Sequence, residues 1–553
     1  MNLFCVYCHT THVNEKTKSF GRSAVALASI GIIAKLIGAL YRVPLTNIVG
    51  AEGMGLYQMV FPLYTVLLTF CGGGITSAVA RIVAKYTALG NEGAALRTLK
   101  VAFLPLFVVS LLCTLGVILL RNAISGIQGN TDAGIAYLAI CPSLVFAGGI
   151  NVLRGYFQGK AFMVPSGISQ LIEQVIKLAL GLYLSKAMLK YGVKYAVAGA
   201  LVGVSLSELC ALLYLAVRFL ISKRRRVRFV AVAALKAETA AEFAVPQSVT
   251  DKTLLKELYS FALSVTLGSL VLPLTQMIDS VLVINLLMYG GAARGDATAL
   301  FGLFVGPVGT LINMPTVFAL SVSIAFLPAI TTAVERGEDA SEITKSAAKW
   351  IMLFVIPVTF GFLLFPERVC SALYSRGLTA EQLTVAARLL RVQAISVFYI
   401  GVLQLATTVL QGHNKAHKPV VNLIVGACVK VGLTPFLVRM FGIVGAAGAT
   451  AACYAVAATL TARSASKRMA IGISAIDSFV KPIVGTALGA AAFIGVAAAL
   501  NNTVLPELWQ TVISGTAFLC VYCAFIVMTG VLDMKTLIAR RLRRGDGHGG
   551  GAA

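Results

Sequence analysis

Long apolar runs alternate with short polar or basic segments along almost the whole chain. The runs at 101–120, 133–153 and 482–506 contain no charged residue. Each has the length of about 20 residues with which an apolar helix crosses the hydrocarbon core of a bilayer. The pattern predicts an all-α polytopic membrane protein with about fourteen transmembrane helices, at 23–48, 54–83, 98–120, 133–157, 162–187, 195–219, 256–288, 298–332, 344–366, 382–411, 419–438, 443–465, 478–500 and 509–532.

The composition excludes a soluble multidomain protein, because 58% of the 553 residues are hydrophobic and only 12% are charged. The net charge of +24 does not indicate a nucleic-acid partner, since the cations cluster between spans at every second loop. This is the positive-inside pattern, which predicts that both termini are cytoplasmic. The basic clusters lie at 16–22, 81–100, 223–228, 463–468 and 540–544.

The two halves of the chain resemble each other. Val43-Pro-Leu-Thr-Asn47 is echoed by Leu272-Pro-Leu-Thr-Gln276, and Val152–Lys160 is echoed by Val409–Lys415. Six spans per half would make the halves parallel, pseudo-symmetric six-helix lobes, a design found in transporters. We predict a cytoplasmic segment at 1–22, an N-terminal lobe at 23–221, a basic cytoplasmic linker at 222–253, a C-terminal lobe at 254–467, an extra helix pair at 476–532 and a basic, glycine-rich cytoplasmic tail at 533–553.

Lys35 and Arg42 place two cations within the first apolar span. Seven residues are nearly two helical turns, so both side chains lie on one face, about 10 Å apart along the axis. An ionisable group at membrane depth costs roughly 3 kcal/mol on insertion scales, and such groups commonly face a watery cavity.

Each of these cations has a functional and a structural interpretation. Lys35 is a candidate cavity cation for a pyrophosphate, or else a structural partner of a carboxylate from another span. Arg42 fits phosphate oxygens in two-point fashion, and Pro44 predicts a local bend where a site could form. The alternative for Arg42 is a side chain that snorkels to the outer headgroups.

Glu173 and Lys177 lie at i and i+4 in the fifth span, the favourable order for a helix ion pair. A self-neutralised pair is one interpretation, and a cavity cation at Lys177 is the other. Lys430 occupies the repeat-equivalent position, and Gly426 stands there in the place of Glu173. Lys430 is therefore a further candidate for holding an anion.

Asp279 is the chief acid of the seventh span. It is a candidate for taking up a coupling proton or sodium ion, with a helix cap or a partner for Lys35 as alternatives; Glu173 is the second candidate acid. Amides in the spans are candidates for hydrogen bonds to sugar hydroxyls, although helix–helix bonding is their commoner use in membranes. They are Gln174, Gln276, Asn313 and Gln404.

The predicted cytoplasmic ends of spans 4, 5 and 10 carry Arg154, Lys160 and Lys415. These cations could gather an anionic headgroup from the inner leaflet. The positive-inside rule explains them equally well without any passenger.

No catalytic or metal site is predicted. Cys5-Val-Tyr-Cys8-His9 has the spacing of a c-type haem attachment, and His12 would extend it to a zinc-like cluster. The motif is a single short copy before the first span, with no second ligand pair or folded domain around it.

Four motifs carry a resemblance to a known family: Tyr41–Thr46, Gly50–Gln58, Leu267–Ser280 and Leu410–Lys415. From about residue 20 to residue 532, the chain resembles the stage V sporulation protein B group. This group contains polysaccharide-biosynthesis exporters of the multidrug/oligosaccharidyl-lipid/polysaccharide superfamily. The resemblance implies a two-lobed, outward-opening V, a lipid-linked cell-wall precursor such as lipid II as the passenger, and a groove for the polyprenyl tail at spans 13 and 14.

The function expected from these observations is a flippase that works by alternating access in a bacterial cell membrane. Its partners would be a lipid-linked anionic saccharide and bilayer lipids, with the cell-wall synthesis machinery as a candidate protein partner. No cofactor is expected, and Na⁺, H⁺ or the membrane potential would supply the energy. The alternative is a cation-coupled multidrug (MATE-type) antiporter, which would need acids where span 1 carries Lys and Arg. An integral-membrane enzyme is not expected, because the external loops are short.

Overall fold

The computed structural model describes residues 27, 29–236, 250–469, 476–500 and 505–531. The Cys5–His9 motif with its N-terminal segment, the middle of the predicted linker and the predicted C-terminal tail lie outside the described residues. Within them the chain is helical and contains no strand. The helices are α1 (29–40), α2 (Arg42–Gly72), α3 (Ile75–Ala88), α4 (Glu92–Ile127), α5 (Ala133–Gly159), α6 (Val164–Met188), α7 (Val193–Lys236), α8 (Asp251–Ser269), α9 (Val271–Tyr289), α10 (Arg294–Leu303), α11 (Gly309–Glu335), α12 (Ser341–Leu364), α13 (Pro366–Tyr374), α14 (Ala380–Gly412), α15 (His417–Phe441), α16 (Ile443–Met469), α17 (Lys481–Leu500) and α18 (Glu507–Met528).

Twelve of the described helical segments are long and apolar enough to cross a membrane. The predicted all-α, multi-pass membrane architecture is therefore confirmed, whereas the count of fourteen spans stays a prediction. Helix α6 is not among the twelve. Its apolar face is interrupted by Glu173, Gln174 and Lys177, which are the residues that matter for the site described below.

The boundary between the first two predicted spans falls at Gly50, which has φ 69° and ψ −170° inside α2. This backbone conformation is accessible to glycine at little cost, and it forms a kink between two helical stretches of α2. Six residues earlier, Pro44 lacks the N–H that would bond to the carbonyl of residue 40. Tyr41 is accordingly a turn residue between α1 and α2, which is the local irregularity that the proline predicts.

The described residues up to Gly306 form one compact unit, which we call the first unit. In it, α5 packs against α3, α4 and α7, and α6 packs against α7. Helix α8 is attached to α3, because the backbone N–H of Gly74 donates to Thr266 Oγ1 at 3.0 Å and Lys85 Nζ lies 2.9 Å from Glu257 Oε1. The first unit thus extends past the predicted N-terminal lobe, and the predicted linker begins as a continuation of α7 as far as Lys236.

The described residues from Pro307 onward form the second unit. Helix α14 packs against α11, α12 and α16, and α15 packs against α16. The predicted extra pair, α17 and α18, is a pair of packed helices that also contacts α12 and α13.

A glycine contact between α6 and α7 gives a testable prediction of packing. A Cβ at Gly203 would lie 2.4 Å from the Cα of Gly181, whereas a Cβ at Gly116 in α4 would meet nothing within 4 Å. Gly203→Ala should therefore lower the free energy of unfolding by about 1–3 kcal/mol through overpacking. Gly116→Ala should leave it unchanged or raise it by up to about 1 kcal/mol. Thermal unfolding of both variants in detergent measures the difference, and equal behaviour would contradict the close approach of α6 and α7.

Candidate functional site

One face of α6 is polar although the helix lies among apolar neighbours. Gln170, Glu173, Gln174 and Lys177 follow one another at i, i+3, i+4 and i+7, so they project from the same side of the helix. Among the described helices of the first unit, this side meets residues of α1, α2 and α5. It forms the centre of what we call the polar cluster: Lys35, Tyr41, Arg42, Phe61, Tyr64, Arg154, Glu173, Gln174, Lys177 and Glu208.

Helix α1 packs closely on this face at two glycines. A Cβ at Gly38 would lie 2.6 Å from Gln174 Oε1, and a Cβ at Gly31 would lie 3.4 Å from Gln170 Oε1. At 100° per residue, Gly31, Lys35 and Gly38 fall within about 60° of one another. Lys35 therefore shares the side of α1 that packs on the polar face of α6, and its side chain is exposed.

Glu173 is neutralised by Arg154 and not by Lys177. Arg154 Nη2 lies 3.1 Å from Glu173 Oε2, and Arg154 Nε donates to Ser169 Oγ at 2.9 Å. The side-chain amide of Gln174 donates to the other oxygen, Glu173 Oε1, at 3.1 Å. The predicted i,i+4 pair of Glu173 with Lys177 is therefore not formed, because a guanidinium from α5 takes the carboxylate. Arg154, in the last two turns of α5, is thus paired with Glu173, and its predicted role in gathering a headgroup stays a prediction.

Lys177 is held by aromatic rings. Its Nζ lies 5.3 Å from the ring centre of Tyr41 and 5.6 Å from that of Phe61, and the described residues place no carboxylate oxygen within 4 Å of it. The guanidinium of Arg42 lies over the same Phe61 ring at 5.7 Å. A cation over a ring face is stabilised without losing its charge. Two cations thus share one ring, and their charges are not cancelled by direct ion pairs.

The sequence analysis missed Glu208 and Tyr64. Glu208 lies in α7, is 5% exposed, and accepts a hydrogen bond from the Tyr64 hydroxyl through Oε1; its Oε2 is buried with no hydrogen-bond partner. Lys177, Arg154 and Glu173 are all within electrostatic range of it. An acid in the middle of the predicted sixth span was the signal available, since an ionisable residue at membrane depth is a candidate for function.

The polar cluster carries a positive formal charge. Lys35, Arg42, Arg154 and Lys177 supply four positive charges, and Glu173 and Glu208 supply two negative ones, which leaves +2. Effective dielectric constants near 20 inside proteins make such a balance much stronger than it would be in water. The arrangement can attract and hold an anion.

Three other predicted positions of the first unit lie elsewhere. Asp279 is 6% exposed in α9, next to Ser280, whose hydroxyl accepts from the Gln128 amide at 3.0 Å. Gln276 is exposed on the same helix. Lys160 forms an ion pair with Glu92, which accounts for this cation without a headgroup.

The remaining predicted residues belong to the second unit. Lys430 is 7% exposed on α15, and Gln404 and Lys415 are half-buried. Asn313 is exposed, and its amide donates to the carbonyl of Gly309 one turn earlier at 2.7 Å. This is an intrahelical bond and leaves the amide oxygen available for another donor.

An apolar groove runs along the extra helix pair in the second unit. It encloses about 390 Å³ between α12, α13, α17 and α18. Aromatic residues dominate its walls: Phe318, Trp350, Phe354, Phe365, Phe493 and Phe518. Such a lining suits a hydrocarbon ligand and offers almost nothing to a polar one.

Comparisons with known proteins agree with this architecture. The family described as polysaccharide biosynthesis protein matches residues 20–334, more than half of the chain. Stage V sporulation protein B of Bacillus subtilis (strain 168) is 27% identical over 82% of this chain and 85% of that protein. Lipid II flippase MurJ of the same organism is 25% identical over 76% of this chain and 78% of that protein.

Solved structures share the fold. A lipid II flippase MurJ in its inward closed conformation covers 91% of this chain and 98% of its own, with a TM-score of 0.66 and 14% identity. A multidrug resistance MATE family transporter of the MOP superfamily, in an inward-facing conformation, covers 81% and 98%, with a TM-score of 0.60 and 14% identity. These relatives bear the names of transporters and not of enzymes. The resemblance predicted from the motifs is confirmed, and the chain belongs to the polysaccharide biosynthesis protein family.

Proposed function

We propose that this protein is a flippase that moves a polyprenyl-diphosphate-linked saccharide, such as lipid II or a related peptidoglycan precursor, from the inner to the outer leaflet. The observation that carries the proposal is the positive polar cluster, in which Lys177 and Arg42 lie over aromatic rings. A diphosphate is the anion that joins the two parts of such a passenger. It would supply the negative charge that this cluster lacks.

The chemistry of the cluster suits a diphosphate. The Arg42 guanidinium can give two parallel hydrogen bonds to phosphate oxygens, and Lys177 supplies a compact second charge. Lys35 lies on the side of α1 that packs on the polar face of α6, and it would add a third cation along the diphosphate. Because Arg154 is occupied by Glu173, we assign it the role of holding α5 and α6 together.

The two ends of the passenger need different surroundings. Sugar hydroxyls would be hydrogen-bonded by amides, with Gln174 in the cluster and Gln276, Asn313 and Gln404 elsewhere as candidates. The polyprenyl chain would lie in the apolar groove beside α17 and α18, whose aromatic lining suits hydrocarbon. Lys430 and Lys415, in the second unit, stay candidate contacts for an anionic headgroup.

The energy for net outward movement would come from the membrane potential or from a coupling ion. A negative interior favours outward movement of a negative headgroup by about 2.3 kcal/mol per charge per 100 mV. A proton or sodium ion taken up at an acid is the other route, and Asp279 is the candidate because it is buried. The predicted location in a bacterial cell membrane, whose interior is negative, gives the potential the required direction.

The relatives support the proposal. One is named a lipid II flippase and another is named for a stage of sporulation. A second candidate function, a cation-coupled multidrug antiporter, is favoured by the likeness in fold to the MATE transporter. The positive cluster argues against it, because a cationic drug would meet repulsion there.

Rescue of a bacterial strain depleted of its own lipid II flippases tests the proposal. We expect the intact protein to restore growth and the amount of precursor accessible in the outer leaflet. In a strain lacking drug pumps, we expect no gain of resistance to cationic drugs. Absence of rescue together with drug resistance that is lost in Asp279→Asn would overturn the flippase proposal in favour of the antiporter.

A further inference from the structure

A second, larger groove lies on the first unit, and none of the residues that line it belongs to the polar cluster. It encloses about 1020 Å³ between α4, α5, α7 and α8. This volume is at the upper end of the about 300–1,000 Å³ typical of ligand pockets. The sequence analysis did not predict the groove, and the proposed transport mechanism does not use it.

One wall of the groove is a stripe along α4. Gly93, Arg97, Lys100 and Leu104 follow at i, i+4, i+7 and i+11, so they lie on the same side of the helix. The stripe begins polar and ends apolar, and Arg97 and Leu104 are about 10 Å apart along the axis. Gly93 leaves the mouth open, since a Cβ there would meet only Asn91 Oδ1 at 3.7 Å.

The opposite walls also change from polar to apolar along the groove. Asp251, at the start of α8, accepts a hydrogen bond from Arg97 at the polar end, and Leu255 follows one turn further along α8. The deeper wall is apolar and consists of Val152, Leu153 and Phe219. The groove therefore has a charged mouth and a hydrocarbon-like interior.

The mouth has an excess of positive charge. Arg97 is paired with Asp251, whereas Lys100 is exposed and the described residues place no carboxylate within 4 Å of its ammonium. This end of α4 belongs to one of the basic loops that the positive-inside pattern predicts to be cytoplasmic. Basic pockets between helices on that side of a membrane are suited to anionic lipid headgroups.

We propose that this groove binds one anionic diacyl phospholipid of the inner leaflet. The phosphate would lie at Lys100 and Arg97, and an acyl chain would follow the stripe to Phe103, Leu104 and Pro105. A bound headgroup would compete with Asp251 for the Arg97 guanidinium. It would thereby act on the contact between α4 and α8.

Native mass spectrometry of the full-length protein, purified in a mild detergent, tests this site. The probes are phosphatidylglycerol, phosphatidylethanolamine with the same acyl chains, and inorganic phosphate. We expect one tightly retained phosphatidylglycerol, with the zwitterionic lipid bound at least 10-fold more weakly and no retained phosphate. Equal retention of the two lipids would overturn the proposal, and so would binding of phosphate alone.

Two variants separate the charged mouth from the apolar interior. Lys100→Gln removes the cation that forms no ion pair in the described residues, and Leu255→Trp fills the groove without changing charge. Each should reduce phosphatidylglycerol retention by about 10-fold, with thermal unfolding in detergent confirming that the fold is retained. If Lys100→Gln reduced phosphatidylglycerol retention and Leu255→Trp did not, surface charge and not the groove would hold the lipid.

The second half of the chain offers the matched control. Lys349 lies in the first turns of α12, at the corresponding basic start of the ninth predicted span. Lys349→Gln removes the same charge and should leave phosphatidylglycerol retention unchanged. Equal loss in both variants would overturn the proposal. Because the readout is lipid binding, this test stays independent of whether the protein flips a lipid-linked saccharide.

Discussion

Lys177→Gln is expected to slow passenger translocation by about 10–100-fold while the protein still folds. A hydrogen bond from a charged donor contributes about 1.5–3 kcal/mol, and 1.4 kcal/mol corresponds to a factor of 10. Lys177 forms no ion pair within the described residues, and the rings of Tyr41 and Phe61 lie next to its ammonium. The measurement is the rate at which lipid II becomes accessible in the outer leaflet of reconstituted vesicles.

The same helix provides the control for this prediction. Lys186 lies near the end of α6 and is exposed, so Lys186→Gln removes an identical charge outside the cluster. It should translocate at the rate of the unmodified protein. Thermal unfolding should show that Lys177→Gln costs only the cation–π contribution of about 0.5–2 kcal/mol. Unchanged translocation by Lys177→Gln, at equal amounts of inserted protein, would remove this residue from the mechanism.

The sequence was sufficient to predict features that depend on near neighbours in the chain. The spans follow from runs of apolar residues, and the kink at Gly50 falls in the predicted gap between the first two runs. The side of α6 that Glu173 and Lys177 share follows from helical periodicity alone. Each of these depends on a few consecutive residues, so no knowledge of the tertiary structure is needed.

The choice of partners within the cluster could not be predicted in the same way. Glu173 has Lys177 one turn away, yet it pairs with Arg154, nineteen residues earlier and on another helix. Periodicity places Glu173 and Lys177 on one side of α6, but only packing decides which helix supplies the nearest donor. The hydrogen bond from Tyr64 to Glu208 could not be predicted for the same reason, because it joins residues 144 positions apart.

Partner choice also changes the interpretation of the site. An i,i+4 pair would have neutralised Lys177 and left Arg154 without Glu173 as its partner. The observed pairing does the reverse: it uses Arg154 to fix α5 against α6 and leaves Lys177 charged between aromatic rings. The structural role and the anion-binding role thus fall on different cations, and separate substitutions can test them.

Arg154→Met is expected to lower the free energy of unfolding by about 2–3 kcal/mol. Removing one partner of a buried ion pair costs about 3–5 kcal/mol, because the other charge is left uncompensated. We expect somewhat less here, since 14% of the Arg154 side chain and 23% of the Glu173 side chain are exposed. Unfolding in detergent, followed by the loss of helical signal, measures the change.

The double variant Arg154→Met with Glu173→Leu should recover most of that stability. It removes both charges together and leaves apolar groups of similar size, a replacement that is often neutral or stabilising. The pair's coupling energy is the difference between the double variant and the sum of the two single variants. A double variant as unstable as that sum would mean that the two residues act independently, and the assignment of Arg154 to holding α5 against α6 would then be wrong. Recovery of stability would instead confirm that the pair is structural, and it would leave Lys177 and Arg42 as the cations that remain for an anionic passenger.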